Sequence, residues 1–353
     1  NTTFVSRSEA TSPEPVRFAV VGCGHIGRRH ATIIQQHPEA ELVALADTDD
    51  ALAPELRRTF GVPFFLSLGA MLTDGPTADV VCVCTPNADH APQAIQVLEA
   101  GRHVVVEKPM ALTKADGEAI IYKALERSRA VFGVMQNRWS PPARWLKELV
   151  ESGRLGRIFL VQVNCFWNRD GRYYKPGGWK GDAHRDGGTL FTQFSHFVDM
   201  LYWLFGDVRN LHARFYDFNH QNLTDFEDTG LVQFDFVRGG AGCLQYSTST
   251  WDRNQESSLT ILAERGSVKV GGQYMERIEY CHVADYEAPN LPPAAPPNQY
   301  PGYTGSAANH HFVIQNVVDT LRHRAYASTN ALEGLKVVDI IERIYALRPE
   351  RTL

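Results

Sequence analysis

The stretch RFAVVGCGHIGRRHATIIQQH, residues 17–37, restricts the fold of this chain more than any other part. Phe18 to Val21 reads as a strand buried on both faces, the habit of parallel sheets. Gly22, Gly24 and Gly27 follow at G-x-G-x-x-G spacing and lead into a helix. Gly22 permits the tight turn, Gly24 lets the backbone approach a pyrophosphate, and Gly27 lets the helix sit close to the sheet. The helix start at His25 and Ile26 offers free N–H groups and a positive dipole end to phosphates. A second apolar run, residues 41–46, ends in Asp47, about twenty residues past Gly27, where an acid meets an adenosine ribose. A carboxylate there repels a 2′-phosphate, and Thr48, Asp49 and Asp50 bring no arginine to hold one. The expected cofactor is therefore NAD rather than NADP.

Strands and helices keep alternating. Residues 79–84 (DVVCVC) read as a strand, 91–100 as a helix and 103–106 (HVVV) as a further strand, so the expectation is a doubly wound parallel sheet. Ligands bind such sheets at the carboxyl ends of the strands. Thr85, Pro86, Asn87 and His90 lie at one such end and Glu107, Lys108 and Pro109 at another, which places them by the nicotinamide half of a cofactor. A lysine after a strand is most commonly solvated. The alternative is that the crevice desolvates Lys108, which would lower its pKa and let it move protons; position alone leaves both readings open.

With 353 residues the chain exceeds one compact core. We expect a flexible arm over 1–15, a nucleotide-binding domain over 16–132 and a second domain over 133–353. The arm, NTTFVSRSEATSPEP, lacks the apolar centre of a signal peptide. A net charge of -5 without a like-charge block argues against nucleic acid as the main partner. No apolar run is long enough to span a bilayer. The six cysteines show neither C-x-x-C nor zinc-ligand spacing, so no metal is expected. They read as reduced, buried thiols of a cytoplasmic protein. In the second half, residues 157–167, 230–237, 243–250 and 258–270 alternate with period two, the mark of a mostly antiparallel sheet in an α+β domain. Residues 288–301 (APNLPPAAPPNQYP) are too rich in proline for regular structure and are expected to form an arm or loop. An amphipathic helix over 331–347 closes the chain.

Taken together, VGCGHIGRRH, Asp47, CTPNADH and EKPMALT resemble the Gfo/Idh/MocA oxidoreductase family, from about residue 16 onward. The resemblance implies a Rossmann domain followed by an open-faced sheet domain. It implies oxidation of a sugar or cyclitol hydroxyl with a nicotinamide cofactor, and a homodimer or homotetramer formed through the sheet face. It also puts Lys108 near the nicotinamide. Residues 184–199 read HRDGGTLFTQFSHFVD, and a histidine on so apolar a helix is commonly a packed core residue. The glycine pair Gly187-Gly188 leaves room for a ligand to approach the helix start. In the family a glycine-rich entry, an Asp and, four residues on, a His stand here. His196 matches that His, whereas Thr192 stands where the Asp would be.

The longer stretches 166–208 and 302–321 look like one subgroup of the family that carries Thr at this place. That subgroup oxidises the 3-hydroxyl of UDP-N-acetylglucosaminuronic acid, on the route to diamino-uronic sugars of bacterial surface polysaccharide such as O-antigen. The resemblance then implies that Lys108 and His196 share the hydroxyl proton, with Gln136 and Trp179 beside the cofactor. A diphosphate and a carboxylate need cationic or N–H donors. Arg138, Arg169, Arg172, Lys175, Lys180, Asn309 and His310 are candidates, with Tyr174 and Thr192 lining the substrate. Some members of the subgroup recycle their cofactor in place with 2-oxoglutarate. Two alternatives stand beside this reading: another sugar or cyclitol dehydrogenase of the family, and a regulator that binds NAD without chemistry.

Overall fold

The computed structural model describes residues 14–349. Most of the arm expected over 1–15 therefore lies outside the described residues. The first half alternates as β1 (Val16–Val21), α1 (His25–Gln36), β2 (Ala40–Ala46), α2 (Ala53–Phe60), β3 (Phe64–Phe65), α3 (Leu68–Asp74), β4 (Val80–Val83), α4 (His90–Glu99), β5 (His103–Val106), α5 (Lys114–Arg127) and β6 (Val131–Gly133). The six strands pair in parallel in the order β3-β2-β1-β4-β5-β6. The chain thus reverses direction across the sheet between β1 and β4, and a crevice opens beyond their carboxyl ends. Val80–Val83 and Val104–Val106 are buried throughout, as a sheet covered on both faces requires. Local chemistry fixes the helix starts: Ser67 and Thr113 cap α3 and α5 by accepting main-chain N–H groups.

The second half holds α6 (Pro141–Glu151), β7 (Ile158–Phe166), α7 (Ser195–Phe205), β8 (Val208–Tyr216), β9 (Thr229–Phe236), β10 (Ala241–Ser247), β11 (Glu256–Ala263), β12 (Gly266–Gly271) and β13 (Arg277–Val283). These strands form a seven-stranded sheet, β13-β12-β11-β7-β10-β9-β8, antiparallel except where β7 runs parallel to β10. One apolar core is shared by the two sheets: it includes Val83 and Val106 of the first, Leu190 and Phe197 around α7, and Val163 and Leu244 of the second.

The proline-rich segment departs from the expected loop. Its end forms β14 (Pro297–Tyr300), which pairs with β15 (Tyr303–Ala307). Pro297 stands at the first position of an edge strand, where its missing N–H costs nothing, and the following residues have N–H groups to pair. After the hairpin, α8 (His310–Leu321) returns to the nucleotide-binding side and adds Val313, Ile314, Val317 and Val318 to the core beneath β1. The last helix, α9 (Ala331–Tyr345), begins with a reciprocal capping box between Asn330 and Glu333 and packs on both α5 and α7.

Candidate active site

A cleft of about 870 Å³ opens where β1 and β4 end, walled on its far side by α7 and the 297–307 hairpin. At its first end the glycine turn behaves as its spacing requires. Gly22 has φ +86°, and a Cβ there would lie 2.6 Å from the Cys84 carbonyl oxygen. Gly27 does not line the cleft; a Cβ there would lie 1.8 Å from Gly22 O, so its absence is what lets α1 dock this close to the turn. Gly24 does line it, and a Cβ there would meet nothing within 4 Å. The helix starts with neither a side-chain cap nor an acidic residue in its first turn, so its N–H groups remain for an anion. His25, Ile26 and Asp47 also line this end. Asp47 accepts the Cys23 N–H at 2.6 Å and the Asp49 N–H at 3.0 Å. Its carboxylate keeps further lone pairs for ribose hydroxyls. These residues fit a dinucleotide.

At the strand ends, Thr85 and Pro86 line the cleft. Asn87 donates both amide hydrogens, to Asp186 O at 2.7 Å and to Thr192 Oγ1 at 2.7 Å. His90 faces two carbonyls, Pro109 O at 2.6 Å and Thr85 O at 2.9 Å, and so fastens the turn after β4 to the turn after β5. Glu107 is buried with Oε1 2.8 Å from His30 Nε2 and 3.7 Å from His310 Nε2, while Oε2 accepts the Lys108 N–H. Burial pushes its carboxyl up, but the hydrogen bond and charge of His30, helped by His310 and Lys108, hold it down at about 2. His30, Glu107 and His310 bring three ligand-type atoms within 4.8 Å of one another. Their 2.8 Å contact is a hydrogen bond, and neither ring has the Nδ1 acceptor that a metal-bound histidine normally keeps.

Lys108 and His196 face the centre of the cleft. Burial lowers the Lys108 pKa against the charges of Glu107 and Asp186, and Nζ donates to Thr192 O at 2.5 Å. His196 is held well below the ordinary histidine value by burial and by the charge of Lys108. Its Nε2 lies 3.2 Å from Gln136 Nε2, whose amide also donates to Ser306 Oγ. Before α7 the chain winds one π-helical turn, Leu190–Phe194, which carries Thr192. The preceding glycines serve packing rather than a ligand: a Cβ on Gly187 would lie 2.4 Å from Leu112, and one on Gly188 2.6 Å from the Tyr345 hydroxyl.

The far wall is cationic. Arg169 is 1% exposed, stacked between Trp167, Tyr173 and Tyr303 with its carbon 4.8, 5.3 and 5.0 Å from their centroids. It donates to Gln193, Asn254 and the carbonyls of Asn168 and Thr304. Lys180 Nζ stands 4.0 Å over the Tyr173 ring, and burial, then Arg169, brings its pKa down to about 8. Among the described residues neither cation forms an ion pair with a carboxylate. Trp179 lines the same region.

Several expected substrate contacts do not reach the cleft. Arg138 is buried and spent on Asp199 at 2.7 and 2.6 Å, Glu333 and the Ser328 carbonyl, so it clamps α7 to α9. Tyr174 packs edge-on against Tyr173, His220 and Phe226. Lys175 is exposed outside the cleft, and Arg172 pairs with Asp170 and Asp252. Asn309 is buried at the start of α8, whereas its neighbour His310 lines the cleft. Other residues come together that the sequence reading did not single out: His30, Asp186, Tyr173, Tyr300, Tyr303 and Ser306. Tyr300 stands 5.5 Å from the His25 ring, across the dinucleotide cradle. Its signal was the resumption of N-Q-Y after the prolines.

A glycine turn shaped for a phosphate, an acid placed for a ribose and a Lys–His pair facing the cleft fit an NAD-dependent oxidoreductase that acts on a sugar, the class to which this protein belongs. The chain belongs to the Gfo/Idh/MocA family. Residues 16–135 match its NAD-binding Rossmann fold and residues 143–269 the Gfo/Idh/MocA C-terminal domain. The WlbA dehydrogenase from Bordetella pertussis, solved with NADH and UDP-GlcNAcA, is similar at 35% identity and a TM-score of 0.85, over 95% of this chain and 96% of that one. The WlbA enzyme of Chromobacterium violaceum, also solved with NADH and UDP-GlcNAcA, reaches 32% and 0.85 over 95% and 94%. Levoglucosan dehydrogenase of Pseudarthrobacter phenanthrenivorans is 24% identical over 303 residues, 76% of this chain and 77% of its own length. No helix among the described residues is long and apolar enough to cross a membrane.

Proposed function

We propose that this protein oxidises the 3-hydroxyl of UDP-N-acetylglucosaminuronic acid to the 3-keto sugar, in the cytoplasm, as a step toward diamino-uronic sugars of bacterial surface polysaccharide. The observation that carries this reading is the pair of cations on the far wall. Arg169 is fully and Lys180 partly buried beside the reacting centre, and among the described residues neither forms an ion pair with a carboxylate, although the charge of Asp186 reaches Lys180. Burying a charge without its counter-charge is costly, so a site built this way is completed by an anionic ligand. A neutral cyclitol or glucoside brings no such charge, whereas a uronic acid does. The likeness to two enzymes solved with UDP-GlcNAcA supports the same choice.

In this reading Gly22, Gly24, the start of α1 and Asp47 hold NAD, with Thr85, Pro86 and Gln136 toward its nicotinamide. When bound, the nicotinamide accepts the hydride that leaves C3. Lys108, its pKa lowered by burial, takes the hydroxyl proton on Nζ. Lys108 accepts that proton as the neutral amine that burial favours, and His196, which burial above all holds well below the ordinary histidine value, stays neutral and orients the hydroxyl by hydrogen bonding. 2-Oxoglutarate, a dianion, meets the same two cations when it regenerates the oxidised cofactor. The protein works as a homo-oligomer built on the exposed sheet face. The experiment is a panel of UDP-GlcNAcA, UDP-GlcNAc, myo-inositol and levoglucosan, followed by NADH absorbance and by 2-hydroxyglutarate formed from added 2-oxoglutarate. Turnover of the UDP-sugar acid above the neutral sugars is expected; turnover of a neutral sugar alone overturns the reading.

A further inference from the structure

The family places an acid on the helix four residues before the active-site histidine, and this chain has Thr192 there. The structure brings a carboxylate back from another direction. Asp186, fully buried in the loop before the π-helical turn, has Oδ1 in short contact with Thr192 Oγ1. Its Oδ2 accepts the Gly181 N–H at 3.0 Å, and the Gly188 N–H also donates to this carboxyl. On the other side of the hydroxyl, Asn87 Nδ2 donates to Thr192 Oγ1 at 2.7 Å and to Asp186 O at 2.7 Å. Asp186 does not line the cleft, whereas Thr192 and Asn87 do.

Counting donors settles the polarity of this hydroxyl. A threonine hydroxyl has one hydrogen and two lone pairs. The hydrogen goes to the Asp186 carboxylate and one lone pair takes the Asn87 N–H. What Thr192 has left for the cleft is a single lone pair. The carbonyl of the same residue holds Lys108 Nζ at 2.5 Å, so this lone pair stands next to the proton acceptor.

We infer that Asp186, acting through Thr192, makes that hydroxyl an acceptor only, and that Thr192 reads a hydroxyl or amide N–H on the sugar carbon beside the one oxidised. The acid is thereby withdrawn from the helix but still sets what the site accepts. Asp186 is a positioning residue; Thr192 is the one that touches substrate. The inference rests on the cleft being the sugar site and does not need the sugar to be a particular one.

Asp186→Asn tests it because it reverses the polarity. The Gly181 and Gly188 N–H groups demand an oxygen, so the new amide turns its nitrogen to Thr192. Both lone pairs of Thr192 are then filled, and its hydrogen leaves the carboxyl for the cleft or for the main-chain carbonyl of residue 186, 3.3 Å away, so no lone pair remains for the sugar. With whichever sugar the wild-type protein oxidises fastest, Asp186→Asn and Thr192→Val should each raise KM about tenfold, the size of one lost hydrogen bond. Thr192→Ser should restore most of the affinity. In the Thr192→Val background, Asp186→Asn should add nothing further, since there is no hydroxyl left to turn. Equal cost of Asp186→Asn in both backgrounds, or an unchanged KM in Thr192→Val, overturns the inference.

A second measurement holds if Asp186→Asn does not fold. In the wild type, KM should rise on acidification as Asp186 takes a proton and donates it to Thr192, and in Thr192→Val this rise should be absent. Lys108, Lys180, Tyr173 and Tyr174 are the titratable groups whose charges reach Asp186, and all four remain in both proteins. A rise of the same size in both overturns the inference as well. Failure of the substrate panel on UDP-GlcNAcA leaves these readouts in place, so the two readings fall separately.

Discussion

Two buried carboxylates flank Lys108, one on each side of the cleft, and they are held in opposite ways. Glu107, at the end of β5, is met by His30 and His310 and sits at about 2. Asp186, on the sheet-domain side, is met by a hydroxyl and two main-chain N–H groups, and burial pushes it up to about 6. Both are desolvated, so burial is not what separates them. The difference is the partner: the charge of Lys108 reaches both, but Glu107 also has the imidazoles to offset the desolvation of its charge, whereas the neutral donors around Asp186 do so only in part. The nucleotide-binding side therefore carries a permanent anion that keeps Lys108 placed. The sheet-domain side carries an acid within reach of titration, near two cations that form no ion pair with a carboxylate among the described residues.

Removing the residue on which both sides converge should have the largest effect. Lys108→Met is expected to lower kcat by about a thousandfold, within the range for loss of a general acid–base group, with NAD affinity by fluorescence titration nearly unchanged. If kcat falls less than tenfold, the proton goes elsewhere and Lys108 is not the group that the two carboxylates serve. Asp47→Asn should act on the nucleotide-binding side alone. It should raise KM for NAD by about tenfold and narrow the preference over NADP, while KM for the sugar stays put. Lys180→Met should do the reverse. We expect about a fivefold higher KM for an acidic sugar, little change for its neutral analogue, and no change for NAD, read in parallel initial-rate assays.

The smallest effects are on stability and differ in sign. A depressed carboxyl stabilises the fold above its unfolded pKa and loses that contribution as pH falls through its folded value. Glu107→Gln should therefore cost about 2 kcal/mol at pH 7 in urea unfolding, and the gap should close as the medium is taken below pH 4.5. A raised carboxyl does the opposite, because the folded chain takes the proton first. Between about 6 and the ordinary value of 3.8, the wild-type protein should gain stability on acidification relative to Asp186→Asn. Thermal unfolding at pH 7, 6, 5 and 4 would read this, and equal slopes in the two proteins would mean that Asp186 has no raised pKa.

The parts legible in the sequence were those enforced by neighbours along the chain. The turn from Gly22 to Gly27, the acid closing β2 and the polar groups at the ends of β4 and β5 all follow from local backbone geometry. A strand end points its next residues into the crevice whatever lies opposite. The period-two runs that became β7, β9, β10, β11 and β12 were legible for the same reason. Arg138 was misread because an arginine after a strand looks alike whether it faces a ligand or a buried Asp199, 61 residues away. The proline-rich arm was misread because its prolines end where β14 begins, and pairing with β15 decides the strand.

The family resemblance supplied the pair Lys108 and His196, whereas the sequence by itself determined the fold of the nucleotide-binding half and its cofactor. Those features need only a backbone path and a residue type. Only the tertiary structure decided how charge is arranged around that pair. Asn87 reaches Asp186 and Thr192 across 99 and 105 residues, and His30 reaches Glu107 across 77. Whether a buried carboxyl is an anion or an acid depends on which donors the fold packs against it. No spacing along the chain carries that information, because the donors come from different elements and meet only when the cleft closes around them.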